Sequence, residues 1–132
     1  MLRMPPYASV ACGAGVAVRV AVVGSREFPD MGKVRAFVSG LEAGTTIISG
    51  GSRGVDTVAE RTGRARGLRV EVHLPDWWTH PRAAGVIRNQ KIVDSADRVV
   101  AFWDGHSRGT ADTIKRARAK GIPIEVVTAE KP

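Results

Sequence analysis

Residues 18–26 read VRVAVVGSR, and the way this stretch ends decides the fold. Val18 to Val23 is a β-branched run that stops at Gly24-Ser25-Arg26, so it reads as a strand feeding a loop. Asp30 can cap the helix that follows, in which Val34, Phe37, Val38 and Leu41 recur at i, i+3, i+4 and i+7. Gly44 interrupts the chain before a second strand, Thr45 to Ser49, and the loop Gly50-Gly51-Ser52-Arg53-Gly54 opens a second helix with Val55, Val58, Ala59 and Thr62 on one stripe. After Gly67, Leu68 to Leu74 forms a third strand in which Val70, Val72 and Leu74 alternate with Arg69, Glu71 and His73. Such alternation leaves one face wet and suits a sheet edge. The loop PDWWTHPRAAG runs to a third helix from about Val86 to Ser95, and Arg98 to Trp103 is a fourth strand. A loop over Asp104 to Gly109 opens a fourth helix, Thr110 to Lys120, which Gly121 ends, and Ile124 to Val127 is the fifth strand.

Strict alternation of strands and helices predicts βαβ units and a parallel sheet: an α/β, three-layer, Rossmann-like open fold. Strands one, two and four are nearly all apolar and belong inside, so the order 3-2-1-4-5 follows, with its switch point between strands one and four. Residues 18–128 are expected to form a single domain, and residues 1–17 a disordered extension.

The chain has 132 residues, 43% hydrophobic and 25% charged, a balance that suits a globular domain rather than a disordered chain. Its single cysteine, Cys12, excludes an internal disulfide and a multi-cysteine metal site, which points to a reducing compartment. No apolar run reaches the roughly 18 residues of a membrane span, and the N-terminal stretch makes a poor signal peptide, so a cytoplasmic location is expected. The net charge of +7 favours anionic partners without choosing among a nucleotide, a nucleic acid and mere solubility.

In open parallel sheets ligands bind beyond the carboxyl ends of the strands at the switch point. Three loops meet there by construction: Gly24-Ser25-Arg26, Gly50-Gly51-Ser52-Arg53-Gly54 and the stretch from Gly105 to Thr110, which holds Arg108-Gly109-Thr110. Each combines glycine, a hydroxyl and an arginine near a helix start. Glycine lets backbone amides approach a phosphate, the helix N-terminus adds a favourable dipole, and arginine offers paired donors. One such loop is an ordinary turn; three on one sheet edge are hard to explain as turns alone. There is no GxxxxGK[ST] motif, and Gly13-Ala14-Gly15 precedes the first strand instead of following it, so neither phosphate fingerprint is present. His73, His80 and His106 lack metal-ligand spacing, and neither a metal nor a cofactor is expected.

Asp56, in the first turn of the second helix, suits the helix dipole, and equally a carboxylate that orients an arginine or a ribose hydroxyl. Arg88-Asn89 at the start of the third helix either faces solvent or enters the same cleft. Trp77, Trp78 and Trp103 can stack on a base or pack under loops. Lys115, Arg116, Arg118 and Lys120 are most simply a solvated helix face.

Val22-Val23-Gly24-Ser25-Arg26, Ile48-Ser49-Gly50-Gly51-Ser52-Arg53-Gly54-Val55-Asp56, Asp76-Trp77, Ile87-Arg88-Asn89-Gln90 and the run from Gly105 to Asp112 resemble, in this order, the SLOG superfamily and its small YspA-type branch related to YpsA. The resemblance covers about residues 18 to 128 and implies a Rossmann-like domain that binds nucleotides or nucleotide-derived signals, with dimers common among relatives. LOG-type phosphoribohydrolases, the lysine decarboxylase-like proteins, are more distantly similar: they carry an arginine, matched by Arg88, before PGGxGTxxE. Here that motif reads DGHSRGTADT, so the catalytic glutamate falls on Thr113, with Asp112 one residue away. Threonine cannot supply the carboxylate that glycosidic cleavage needs, which argues against hydrolysis. The DNA-processing protein DprA is similar at Ser49-Gly50, Arg53-Gly54-Val55-Asp56 and Arg88-Asn89, and implies single-stranded DNA as a partner.

The leading expectation is a nucleotide-binding or sensing module. Arg26, Arg53, Arg88 and Arg108 would hold phosphates, with backbone help from Gly24-Ser25, Gly50-Gly51-Ser52-Gly54 and Gly109-Thr110, and Asp56 and Asn89 would act as polar partners. One alternative is a nucleotide N-glycosidase using Arg88 and Asp112; the other is a single-stranded DNA binder.

Overall fold

A computed structural model describes residues 18–129; the expected extension over residues 1–17 lies outside the described residues. The elements are β1 (Arg19–Gly24), α1 (Met31–Ser39), β2 (Thr46–Ser49), α2 (Val55–Ala65), β3 (Arg69–Val72), α3 (Ala84–Ser95), β4 (Arg98–Trp103), α4 (Arg108–Lys120) and β5 (Ile124–Thr128). The five strands form one all-parallel sheet in the order β3-β2-β1-β4-β5, as the hydrophobic patterning predicts. No helix among the described residues is long and apolar enough to cross a membrane.

Period-two alternation in the central strands separates two cores. Val20 and Val22 of β1 and Val100 and Phe102 of β4 face one side, where Val34 and Val38 of α1 and Val55 and Ala59 of α2 cover them. Ala21, Val23, Val99 and Ala101 face the other, against Ile92 and Val93 of α3 and Ile114 and Ala117 of α4. Each fully buried Val, Ile or Phe contributes about 1.5–3 kcal/mol, so the central strands anchor the sheet. The edge strands β3 and β5 hold no fully buried residue. The ring of Phe28 packs edge-on against Phe102, with centroids 5.6 Å apart, which pins the loop after β1 to the end of β4.

Three boundaries differ from the sequence reading by two residues, and several others by one. β3 stops at Val72, because its partner β2 ends at Ser49 and turns into the glycine loop; the His73 amide still donates to the Ser49 carbonyl at 2.8 Å, but Leu74 is 70% exposed. α3 starts at Ala84, two residues before Val86. α4 starts at Arg108, because Ser107 is its cap and its hydroxyl accepts from the Thr110 amide. Asp30 caps α1 as expected, accepting from the Lys33 amide at 3.2 Å.

Candidate functional site

The C-terminal ends of β1, β2 and β4 open into a cleft of about 460 Å³ at the β1–β4 switch point. Gly24 and Arg26 line it from the loop after β1, Gly50 and Ser52 from the loop after β2, and Asp56 from α2. Arg88 and Asn89 of α3 and Gly109 and Thr110 of α4 line it as well. Ser25 does not line the cleft but ties its walls together. It is buried, its hydroxyl accepts from the Asp104 amide at 3.1 Å, and its carbonyl accepts from the Val55 amide at 3.4 Å. Gly54 lies outside the lining as well; its φ of +82° suits glycine, and a Cβ there would run into the Arg26 carbonyl. Gly51, Arg53 and Arg108 are exposed and are not among the lining residues.

Asp56 is only 4% exposed. Its Oδ2 accepts from the Ser52 amide at 3.2 Å, whereas Oδ1 is buried with no hydrogen-bond partner among the described residues. Burial pushes its pKa up to about 7; the Ser52 amide and the charge of Arg88 pull against this, and the nearby Glu60 adds to it. Arg88 is held by donating from Nη1 to the Gly50 carbonyl at 2.5 Å and from Nε to Asn89 Oδ1 at 2.9 Å. Burial lowers the Arg88 pKa; Arg26 acts in the same direction as a like charge, and Asp56 opposes both. The guanidinium remains charged at any ordinary pH. Two positive groups thus face one cleft, beside the first-turn amides of α4, which by position have no intrahelical acceptor.

Asp112 points elsewhere. Its Oδ2 accepts from Arg116 Nε at 2.7 Å and from Asn89 Nδ2 at 3.0 Å, and it does not line the cleft. Burial alone would raise its pKa, but the Arg116 and Asn89 donors outweigh that and hold it below the usual carboxylate range. Thr113 does line the cleft, with its hydroxyl bonded to the Gly109 carbonyl at 3.1 Å. Nor is the basic stripe of α4 wholly solvated: Arg116 Nη1 also donates to Gln90 Oε1 at 3.0 Å, and Lys120 pairs with Asp94 at 3.2 Å, stitching α4 to α3.

Sequence reasoning passed over Asp104, which lines the cleft and whose Oδ1 accepts from the His106 and Ser107 amides at 2.8 and 2.9 Å. The readable signal was an aspartate opening a glycine turn. Glu27 and His106 also line the cleft, and nothing in their local sequence marks them. Trp103 packs under the α4 loop and donates from Nε1 to the Ser107 carbonyl at 3.0 Å. Trp77 and Trp78 are 55% and 96% exposed, and Leu74 and Val86 are exposed as well; Leu74 lies against Gly51 of the second loop and Trp77 against Gly85 of α3.

The model of the YspA, cpYpsA-related SLOG family matches residues 18–80, which include the first two glycine loops and Asp56. The Gene 61 protein of Mycobacterium phage D29 is 37% identical over 116 residues, covering 80% of this chain and 93% of that protein. The chain belongs to the YspA, cpYpsA-related SLOG family. Among solved structures, the DNA processing protein A (DprA) of Streptococcus pneumoniae superposes with a TM-score of 0.75 at 20% identity, over 86% of this chain and 51% of that one. The DprA of Helicobacter pylori, described for its single-stranded DNA binding mode, superposes with a TM-score of 0.67 at 17% identity, over 86% of this chain and 66% of that one. At such identities the likeness is one of fold, and this SLOG chain spans about half the length of the Streptococcus protein.

Proposed function

We propose that the cleft binds a nucleotide or a nucleotide-derived, phosphate-bearing small molecule, and that the domain is a binding or sensing module. The observation that carries this reading is the convergence of Arg26 and Arg88 on one cleft walled by Gly24, Gly50 and the N-terminus of α4. The two guanidinium groups can donate to the oxygens of one phosphate, which would also accept from backbone amides at the helix start. A volume of about 460 Å³ lies in the range of small-molecule sites. Asp112, paired with Arg116 and outside the lining, is a poor general acid, and we assign it no hydrolysis. The test is a thermal-shift panel of nucleoside monophosphates, ADP-ribose and NAD on wild type and Arg88→Ala. Stabilisation of the wild type alone supports the reading; no stabilisation by any of them removes it.

A second reading, single-stranded DNA, is favoured by the exposed Trp77 and Trp78 and by the chain's fold likeness to the Helicobacter protein. Stacking on exposed aromatics and a basic groove are the usual means of holding single strands. Its test is binding of a short oligothymidylate across a salt series, where a flat response rules it out.

A further inference from the structure

We propose that Asp56 determines which ligand the cleft accepts: its carboxylate takes a hydrogen-bond donor from the ligand, so the cleft selects a phosphorylated ribose with its hydroxyls intact over the deoxy counterpart. This rests on the nucleotide reading above and narrows it to a class of sugar.

The cleft lining sets Arg26 and Arg88 beside three acids: Glu27, which is exposed, Asp104, which is engaged by the His106 and Ser107 amides, and Asp56. A buried carboxylate with no such engagement opposes a bound anion. Asp56 is nevertheless there, buried to 4% exposure, and no ion pair within 4 Å links it to Arg88 among the described residues. The Ser52 amide donates to Oδ2 and the Gly24 amide lies near enough to favour the charged form, yet a group able to accept about four hydrogen bonds is left, among the described residues, with Oδ1 lacking a hydrogen-bond partner. A buried polar atom left so is costly, and its place in a cleft lining puts it where an arriving donor can meet it. The missing partner is a donor that arrives with the anion. A sugar hydroxyl a few bonds from a phosphate is such a donor, and an apolar or purely anionic ligand is not. Rotation about χ2 exchanges the two carboxylate oxygens, so either can be turned to the ligand.

The carboxylate accepts best when ionised. The charges that act on it are Arg88 from α3 and Glu60 from its own helix, and the Ser52 and Gly24 amides favour its ionised form; Arg26 and Glu27 from the loop after β1 and Asp104 after β4 line the same cleft. The preference for intact hydroxyls therefore grows as pH rises through about 7.

The experiment is calorimetric titration of the full chain with the ribonucleoside monophosphates and with their 2′-deoxy and 3′-deoxy forms, near pH 6 and pH 8. Wild type is expected to lose about tenfold or more in affinity when the hydroxyl facing Asp56 is removed, more so at the higher pH; such a loss is typical where a buried polar group is left unpaired. In Asp56→Asn the ratio of ribo to deoxy affinity should fall close to one, while Arg88→Ala weakens both series alike. The phosphate's own titration cancels in that ratio. Equal affinities for all three sugars in wild type, or a preference that survives Asp56→Asn, would overturn the assignment and leave the nucleotide reading standing. No binding in any series would overturn both.

Discussion

Arg88 and Asp56 both reach the space above Gly50: a Cβ built on that glycine would lie 2.9 Å from Arg88 Nη1 and 3.0 Å from Asp56 Oδ2. The absence of a side chain at Gly50 is what lets a cation from α3 and an acid from α2 share one wall of the cleft. Gly50 has no positive φ, so alanine fits its backbone, and the obstruction comes from flexible side-chain ends rather than from main chain. Gly50→Ala is therefore expected to cost only about 1–2 kcal/mol of stability, by overpacking, yet to displace Arg88 from the Gly50 carbonyl and weaken nucleotide binding severalfold. Chemical denaturation and calorimetry on the same preparation check both halves. Unchanged affinity would show that the position of Arg88 does not matter to the ligand.

Asp56 makes a second, independent prediction about folding. Its pKa is 3.8 in an unfolded chain and about 7 in the fold. Below the unfolded value both states carry the proton and the group is neutral to stability. Between the two values the unfolded chain ionises and the fold does not, so stability falls as pH rises, and the loss is complete above about 7. At about 1.4 kcal/mol per unit the full penalty is on the order of 4 kcal/mol. Asp56→Asn should then be more stable than wild type near pH 8, with the gap closing toward pH 4. Urea denaturation at several pH values measures it, and a gap that does not vary with pH would contradict the burial argument.

The strand order was legible because it rests on patterns local to each strand: the nearly all-apolar β1, β2 and β4 against the alternation of Arg69-Val70-Glu71-Val72. The burial of Asp56 was not. A first-turn acid looks the same in sequence whether it faces solvent or floors a cleft, and here the glycines of two other loops decide which. The direction of an arginine in a glycine loop is equally hidden, since the turn geometry at Gly51 and Gly54, not the residue type, leaves Arg53 exposed. Asp112 was readable, because an acid four residues before Arg116 on a helix signals an ion pair and hence a carboxylate already engaged.

Arg53 and Arg108 separate a short ligand from a long one. Both are exposed and outside the cleft lining, so Arg53→Ala and Arg108→Ala should leave the melting temperature unchanged and alter mononucleotide affinity less than twofold, within the small range of surface changes. Arg88→Ala is expected to reduce that affinity by about tenfold or more, because it removes a charged donor from the lining. Parallel titrations with one nucleoside monophosphate check this. A large loss in Arg53→Ala would mean that the loop closes over the ligand.

Trp78 is where the two functional readings part. At 96% exposure it contributes almost nothing to the core, so Trp78→Ala should not lower the melting temperature. If the ligand is a mononucleotide held by Arg26 and Arg88, the substitution should leave binding unchanged, because Trp78 is not among the residues lining the cleft. If the ligand is a single strand that continues past the cleft, a stacked base is lost at a cost of about 1–3 kcal/mol, and that cost does not vary with salt because stacking releases no counterions. Removing Arg53 should then act the other way, weakening oligonucleotide binding and flattening its dependence on salt by about one phosphate contact. Measuring both variants on a short oligothymidylate across a salt series separates the two contributions. A Trp78→Ala protein that binds the strand as wild type does would confine recognition to the cleft.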